Sequence, residues 1–268
     1  MRGLAVVVSV EPVAGRLFFW GARALYLGPS FGLAAHRNAA AVLCAGLGGA
    51  FGLARDPRLA EPDFITCRTA LIPANTLHRI RPGAAPMAFL YVDPQSADYR
   101  CLFAGMRQQG AADSRDHGDE AAYLAILARL SRGAAWPDVR DEIAAVLGLA
   151  GARSGDERIR GVIRRLVGDP EGVNDLAGLA AGIGLSPSRL QHLFKDETGL
   201  AFRRYKLWTR MGAAIRAMAR GQALTEAALG AGFASSAHFS SAFRAMFGLT
   251  PSAFAKAGLT IVEAPAGQ

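Results

Sequence analysis

Two stretches in the second half of the chain are versions of one another, and that duplication constrains the fold more than any other feature. "LAAGIGLSPSRLQHLFKDETG" and "AALGAGFASSAHFSSAFRAMFG" align with Gly184 on Gly232, Leu190 on Phe239, Phe194 on Phe243, Lys195 on Arg244 and Gly199 on Gly248. The offset is 48 residues before the turn and 49 after it, so the second copy has one extra turn residue. Stacked repeat proteins need about three units to bury a continuous core. Two copies point to a duplicated small module instead.

Each copy reads as a short apolar-faced helix, a glycine turn and a second helix, which is a helix-turn-helix in sequence form. In the first copy Asn174 is the expected N-cap before "DLAGLAAG", and Gly184 suits a left-handed turn. Ser186 then caps the next helix, with Pro187 at its first position, where the missing N–H costs nothing. An ordinary helical hairpin would explain the apolar residues. It does not explain why the outer face of both second helices carries short, forked or cationic groups, the side chains that match base edges and phosphates. Between the copies, Phe202, Tyr205, Trp208, Met211, Ile215 and Met218 recur at three- or four-residue steps and predict one amphipathic helix. At 1.5 Å per residue it spans about 28 Å, close to the ~34 Å between successive major grooves on one face of DNA. Arg203, Arg204, Lys206, Arg210 and Arg220 along it are read as phosphate clamps, with a solvated helix face as the alternative for any one of them.

Charge agrees with a polyanionic partner. Residues 151–268 carry 15 Lys+Arg against 9 Asp+Glu, a net +6, whereas residues 1–150 carry 15 against 13, a net +2. Half the residues are hydrophobic, enough for packed cores and too many for disorder. Cys44, Cys67 and Cys101 are odd in number and lack metal-type spacing, as expected in a reducing cytosol. The N-terminal "MRGLAVVVSVEP" has no cleavage-like site, and the longest uncharged stretch, Asn38 to Ala54, is too short and glycine-broken to span a membrane. The expected location is cytoplasmic.

From about Glu157 to Lys256 the chain resembles the AraC/XylS family of bacterial transcription regulators. The two quoted segments are similar to that family's paired helix-turn-helix units (about 174–195 and 222–245), including the closing Gly-x-x-Pro run from Gly248 to Pro251. The resemblance implies base reading by Ser188, Arg189, Gln191 and His192 in the first unit, and by Ser236, Ala237, His238, Ser240 and Ser241 in the second. Lys195, Arg203, Arg204, Arg210 and Arg244 would meet phosphate. The second reading helix is rich in Ser and Ala, which fits positioning better than discrimination. Packing of His192 and His238 beside Leu193 and Phe239 is the alternative for those two. With both units on one chain, an isolated fragment from Glu157 onward is expected to fold and bind DNA as a monomer.

Up to about Tyr99 the pattern changes to short apolar runs with regular turn signals, as in a β sandwich or barrel. This part resembles the same family's cupin-like sensor. "LIPANTLHRI" is similar to one cupin motif, with Asn75 where glycine is usual; Asn tolerates the left-handed conformation that glycine supplies. "HRN" is what remains of the other motif. His36 and His78 are therefore expected in an effector pocket or on the surface, and two histidines without a carboxylate predict no metal site. Arg37, Arg68, Arg79 and Arg81 would pair with an acidic ligand or lie in solvent.

The expected fold class is α+β: a cupin-like β barrel over 1–100, linker helices over 101–155, and an all-α DNA-binding domain over 157–256. The implied function is a sequence-specific DNA-binding transcription regulator answering a small-molecule effector; no enzyme activity and no cofactor are expected. Its implied partners are duplex DNA, the effector, a second copy of the chain through the helix at 119–133 (which would otherwise cap the barrel) and RNA polymerase, with no membrane. The rival readings are a regulator working through protein partners or abundance alone, and a cupin enzyme with a DNA-binding appendage.

Overall fold

A computed structural model describes residues 15–149, 156–170, 172, 175–256 and 260–263. The first half contains β1 (Arg16–Trp20), β2 (Arg23–Gly28), β3 (Ala41–Gly46), β4 (Phe51–Ala54), β5 (Phe64–Cys67), β6 (Thr69–Ile72), β7 (Ile80–Arg81) and β8 (Met87–Val92). Then come α1 (Ala97–Gly105), β9 (Met106–Gln109), β10 (Ser114–His117), α2 (Glu120–Ser131) and α3 (Trp136–Val146). The second half is α4 (Glu157–Gly168), α5 (Leu176–Ala181), α6 (Pro187–Thr198), α7 (Phe202–Ala219), α8 (Leu224–Gly230), α9 (Ser236–Phe247) and α10 (Pro251–Lys256), followed by β11 (Thr260–Glu263).

The expected closed barrel is not what these strands make. Eight of them form an open sheet in the order β11-β1-β2-β8-β3-β6-β10-β9, and β5-β4-β7 form a separate small sheet. Successive strand residues point to opposite faces, and here both faces are apolar. Phe18, Leu25, Leu43, Leu71 and Leu90 on one face pack against Leu102 of α1, Tyr123 and Leu127 of α2, and Trp136 and Ile143 of α3. Leu17, Tyr26, Val42, Ile72 and Phe89 on the other face join Phe51 and Leu53 of the small sheet. They also join Trp208, Met211 and Ile215 of α7 and Phe239, Phe243 and Phe247 of α9. A sheet covered on both sides needs no closure to hide its apolar surface, and its strands read as continuous apolar runs.

The sheet also draws on more of the chain than expected. β9 and β10 lie beyond residue 100 yet continue it past β6. At the opposite edge β11, from the far end of the chain, pairs in parallel with β1, Arg16 opposite Thr260 and Leu17 opposite Ile261. Helices α2 and α3, expected as linkers, pack on the sheet. Tyr123, Leu124, Ile126, Leu127 and Leu130 of α2 are all buried within the chain, so its apolar face is not offered to a second copy. The last residues of the expected linker, 150–155, fall outside the described residues.

The helical half has two differently supported units. α4, α5 and α6 close their own core with the start of α7, through Ile159, Val162, Leu166, Leu179, Leu190, Phe194, Phe202 and Tyr205. The second unit shares its core with the sheet. An isolated fragment from Glu157 onward would bare Trp208, Phe247 and Leu249, against the sequence expectation that it stands alone.

Helices α6 and α9 each end on a left-handed glycine, Gly199 with φ 72° and Gly248 with φ 78°. A Cβ on Gly199 would lie 3.6 Å from its nearest neighbour, Ala97, whereas one on Gly248 would approach His36 to 2.2 Å. Gly199→Ala is expected to cost only the left-handed strain, about 1–2 kcal/mol. Gly248→Ala should cost a further ~1–3 kcal/mol from overpacking against the sheet half. Urea unfolding of both variants measures the difference, and equal losses would mean that the end of α9 does not dock as described.

Candidate nucleic-acid interface

The local chemistry of the two units follows their sequence closely. Asp175, rather than the expected Asn174, caps α5, its carboxylate accepting from Gly178 N–H at 2.6 Å. Asn174 lies outside the described residues. Gly184 and Gly232 hold φ of 68° and 77° in the two turns. Ser186 caps α6 by accepting from Arg189 N–H, and Ser235 caps α9 by accepting from His238 N–H. The caps are 49 residues apart while the turn glycines are 48 apart, so the extra residue lies between glycine and cap.

Beyond those caps, Ser188, Arg189, Gln191, His192 and Lys195 are all exposed on α6, opposite the buried Leu190 and Phe194. On α9, Ala237, His238, Ser241 and Arg244 are exposed, and Ser236 and Ser240 half-buried, opposite Phe239, Phe243, Met246 and Phe247. His238 rests edge-on against Phe233, ring centres 5.4 Å apart, which leaves it less free than His192. Arg203 is exposed at the start of α7.

Residues 179–257 match a family model described as a helix-turn-helix domain. The match lies within the stretch whose sequence resembles the AraC/XylS regulators. No curated protein matches it. Among solved structures it is similar to ToxT from Vibrio cholerae, at 13% identity and TM-score 0.47 over 88% of this chain and 97% of that one. An unsaturated-fatty-acid-bound form of ToxT from strain SCE256 gives 14%, TM-score 0.43, 87% and 94%. A transcriptional regulator of AraC type from Chromobacterium violaceum gives 24%, TM-score 0.35, 38% and 89%. Among the described residues no helix is long and apolar enough to cross a membrane.

Two of the arginines expected at phosphate have protein partners or neighbours within the chain. Arg204 Nε donates to Asp93 Oδ2 at 2.6 Å, bridging α7 to the end of β8. Trp208 Nε1 donates to the same oxygen at 3.3 Å, and Gln95 N–H donates to Asp93 Oδ1 at 2.9 Å. The Asp93 side chain is 1% exposed, whereas that of Arg204 is 38% exposed. Arg210 is half-buried beside Gly232, in the turn of the second unit, and burial lowers its pKa. Lys195, Arg203 and Arg244 are the exposed cations of the expected set.

His36 and His78 come together at the contact between the sheet half and α9. Their backbones form an isolated bridge, with N–H to O distances of 3.0 Å in both directions, and their rings lie 4.3 Å apart. Asn75 in the adjoining turn holds φ 59°, the left-handed conformation expected of it. Ala39 N–H donates to the Ala245 carbonyl near the end of α9. A cavity of about 30 Å³ remains here, lined by both histidines, Asn38, Val42, Tyr91, and Phe247 and Leu249 from the helical half. Arg37, Arg68, Arg79 and Arg81 are not among its lining residues, so the cations expected for an acidic ligand stand elsewhere. Sequence reasoning missed Asp93, Asn38, Phe247 and Leu249, none of which carries a local signal for a contact so distant along the chain.

Two tests follow from this contact. Removing Arg204 leaves a deeply buried carboxylate short of its charged partner, whereas removing the Asp93 charge leaves an arginine that water can reach. Arg204→Ala should therefore destabilise by about 3 kcal/mol and more than Asp93→Asn, as measured by urea unfolding. The reverse order would show that the pair is not what holds α7 to β8. Burial, followed by the neighbouring His36, pulls the His78 pKa down to about 4 from 6.5. Between those values the unfolded chain takes up a proton that the folded chain refuses. Stability is thus intact above about pH 6.5 and declines toward pH 4, by at most about 1.4 kcal/mol per unit from this group. His78→Gln should flatten that slope in unfolding curves recorded across the range.

Proposed function

We propose that the chain is a sequence-specific transcription regulator in which α6 and α9 enter major grooves of duplex DNA, with a small-molecule effector acting through the sheet half. One observation carries the reading: both helices of the duplicated unit are capped by serine in the same way and keep polar or cationic outer faces in solvent. In this reading Ser188, Arg189, Gln191 and His192 on α6 discriminate bases. Ser236, Ala237, His238, Ser240 and Ser241 on α9 fit against the groove and contribute less to discrimination, being mostly short. Lys195, Arg203 and Arg244 neutralise phosphates, while Arg204 and Arg210 serve the fold first. The sheet half, residues 15–149, is the sensing part, and the helical half from Asp156 the reading part.

Support for an effector comes from the cavity between the two halves, which touches the C-terminal end of α9 directly. The ToxT structures hold an unsaturated fatty acid in one case and a naphthalenyl butenoic acid in another. For this chain the effector remains part of the proposal.

Gln191→Ala should relax preference at one base position by about 1–3 kcal/mol, because an amide makes a bidentate contact with adenine. Lys195→Ala should weaken binding to all sequences alike and lower the salt slope by about one unit. Binding titrations of the full chain against a selected site and its single-base variants, at several salt concentrations, separate the two. Identical profiles would overturn the division into reading and clamping residues.

A further inference from the structure

The cleft between His36, His78 and Gly248 has a definite hydrogen-bond polarity. His36 Nδ1 is 2.9 Å from the Ala34 carbonyl and His78 Nδ1 is 2.9 Å from the Thr76 carbonyl. A carbonyl only accepts, so each Nδ1 carries the proton, and each neutral ring presents a bare Nε2 acceptor. Asn38, 3% exposed, adds a buried Oδ1 with no hydrogen-bond partner among the described residues. The position a Cβ would take on Gly248 is 2.7 Å from His36 Nε2 and 2.8 Å from Asn38 Oδ1, so these acceptors converge on one point. They are covered there by a glycine Cα–H, a weak substitute for a true donor. The buried Asn38 Oδ1, left in this state, is what a ligand's donor would satisfy.

The walls set the rest of the ligand's chemistry. The cavity is lined mostly by aliphatic and aromatic groups such as Val42, Ile80, Phe89 and Leu249, with Ser30 and Tyr91 adding hydroxyls, and among the described residues no Asp, Glu, Lys or Arg lines it. A carboxylate would meet acceptors with no cation. An ammonium would be desolvated with no anion, at a cost of several kcal/mol. Size matters too. About 30 Å³ admits roughly two waters, so anything larger must displace Phe247 and Leu249, the residues flanking the end of α9.

We propose that this cleft binds a small, uncharged, hydroxyl-bearing apolar molecule, its one O–H donating to Asn38 Oδ1 or His36 Nε2 where the two converge, and its body parting the end of α9 from the sheet. This rests on the effector reading above and names the ligand class for it.

Three probes with one aromatic body and different heads test the chemistry at pH 7.5 on the full chain: 2-phenylethanol, 2-phenylethylammonium and phenylacetate. Calorimetric titration should give one site per chain, with the alcohol at least tenfold tighter than either ion. Binding should fall at least fivefold in Asn38→Ser and in His36→Gln. In the wild type, alcohol should shift the ring-proton resonances of His36 and His78 and of no other histidine, a readout that does not depend on how the variants fold. Tighter binding of either ion, binding by none of the three below 10 mM, or shifts confined to other histidines would each overturn the proposal. DNA titration with the cleft saturated separates this from the reading it rests on. A site that behaves as described while DNA affinity stays unchanged confirms the ligand chemistry and sinks the effector reading alone.

Discussion

The constraint on which the rest of the structure depends is a β-sheet with two apolar faces. Burying a large apolar side chain is worth about 1.5–3 kcal/mol, so neither face can be left in water. One is covered locally by α1 to α3, which follow the sheet in the chain. The other is covered by α7 and α9, from more than a hundred residues further on. That choice makes the two helix-turn-helix units unequal. The first keeps a private core around Phe194 and Tyr205. The second has given its core to the sheet, through Phe239, Phe243 and Phe247. A duplicated sequence has thereby become one helix-turn-helix with its own support and one supported by a face of the sheet, with a single residue added to the turn of the local motif.

Polar contacts then fix how the halves meet, because apolar burial alone is not directional. The Asp93 carboxylate, at the end of β8, takes donors from Arg204, Trp208 and Gln95. β11 adds a backbone ladder at the β1 edge, and the parallel pairing ties the last described residues of the chain to the first. A chain of edge-to-face rings runs beneath α9. Phe233, Phe239, Phe243 and Phe247 stand 5.1, 5.7 and 4.9 Å apart in turn, and Phe247 meets Tyr91 of β8 at 5.0 Å. Such packing is stiff, so a displacement of α9 against the sheet would carry the whole helix.

What could be read from the sequence was what local chemistry decides. Ser186, Pro187, Gly184 and the three- or four-residue apolar spacing of α7 each act within one or two turns of helix, and all are found as expected. Asn75 took its left-handed conformation for the same local reason. Strand partnership is different, because the residue opposite a strand is chosen by the whole chain. Nothing in "RALYLG" says that both of its faces are buried, and nothing in "TIVE" says that it returns to β1. Asp93 looked like an acid at a strand end, and Arg204 like one cation among five on its helix. Their pairing depends on α7 lying across β8, a fact of the assembled fold. His36 and His78 were singled out through resemblance to two separate motifs. Their meeting at α9, rather than inside a closed barrel, came from the open sheet.

The same geometry bounds how strongly a ligand in the cleft can act. Parting the end of α9 from the sheet exposes Phe247 and Leu249, at about 1.5–3 kcal/mol each. A ligand whose apolar body replaces those contacts recovers most of that cost, and its hydroxyl adds about 0.5–1.5 kcal/mol by meeting an acceptor that the closed state leaves to a Cα–H. With the ligand in place the parted and closed states therefore balance to within about 1 kcal/mol. A ligand acts only through its difference in affinity for the two states, so it brings a closed state toward balance and does not drive it fully open. The first unit, with its separate core, would hold its geometry throughout. On the proposed reading, graded control of α9 beside a constant α6 is what a shared core on one side and a private core on the other would permit.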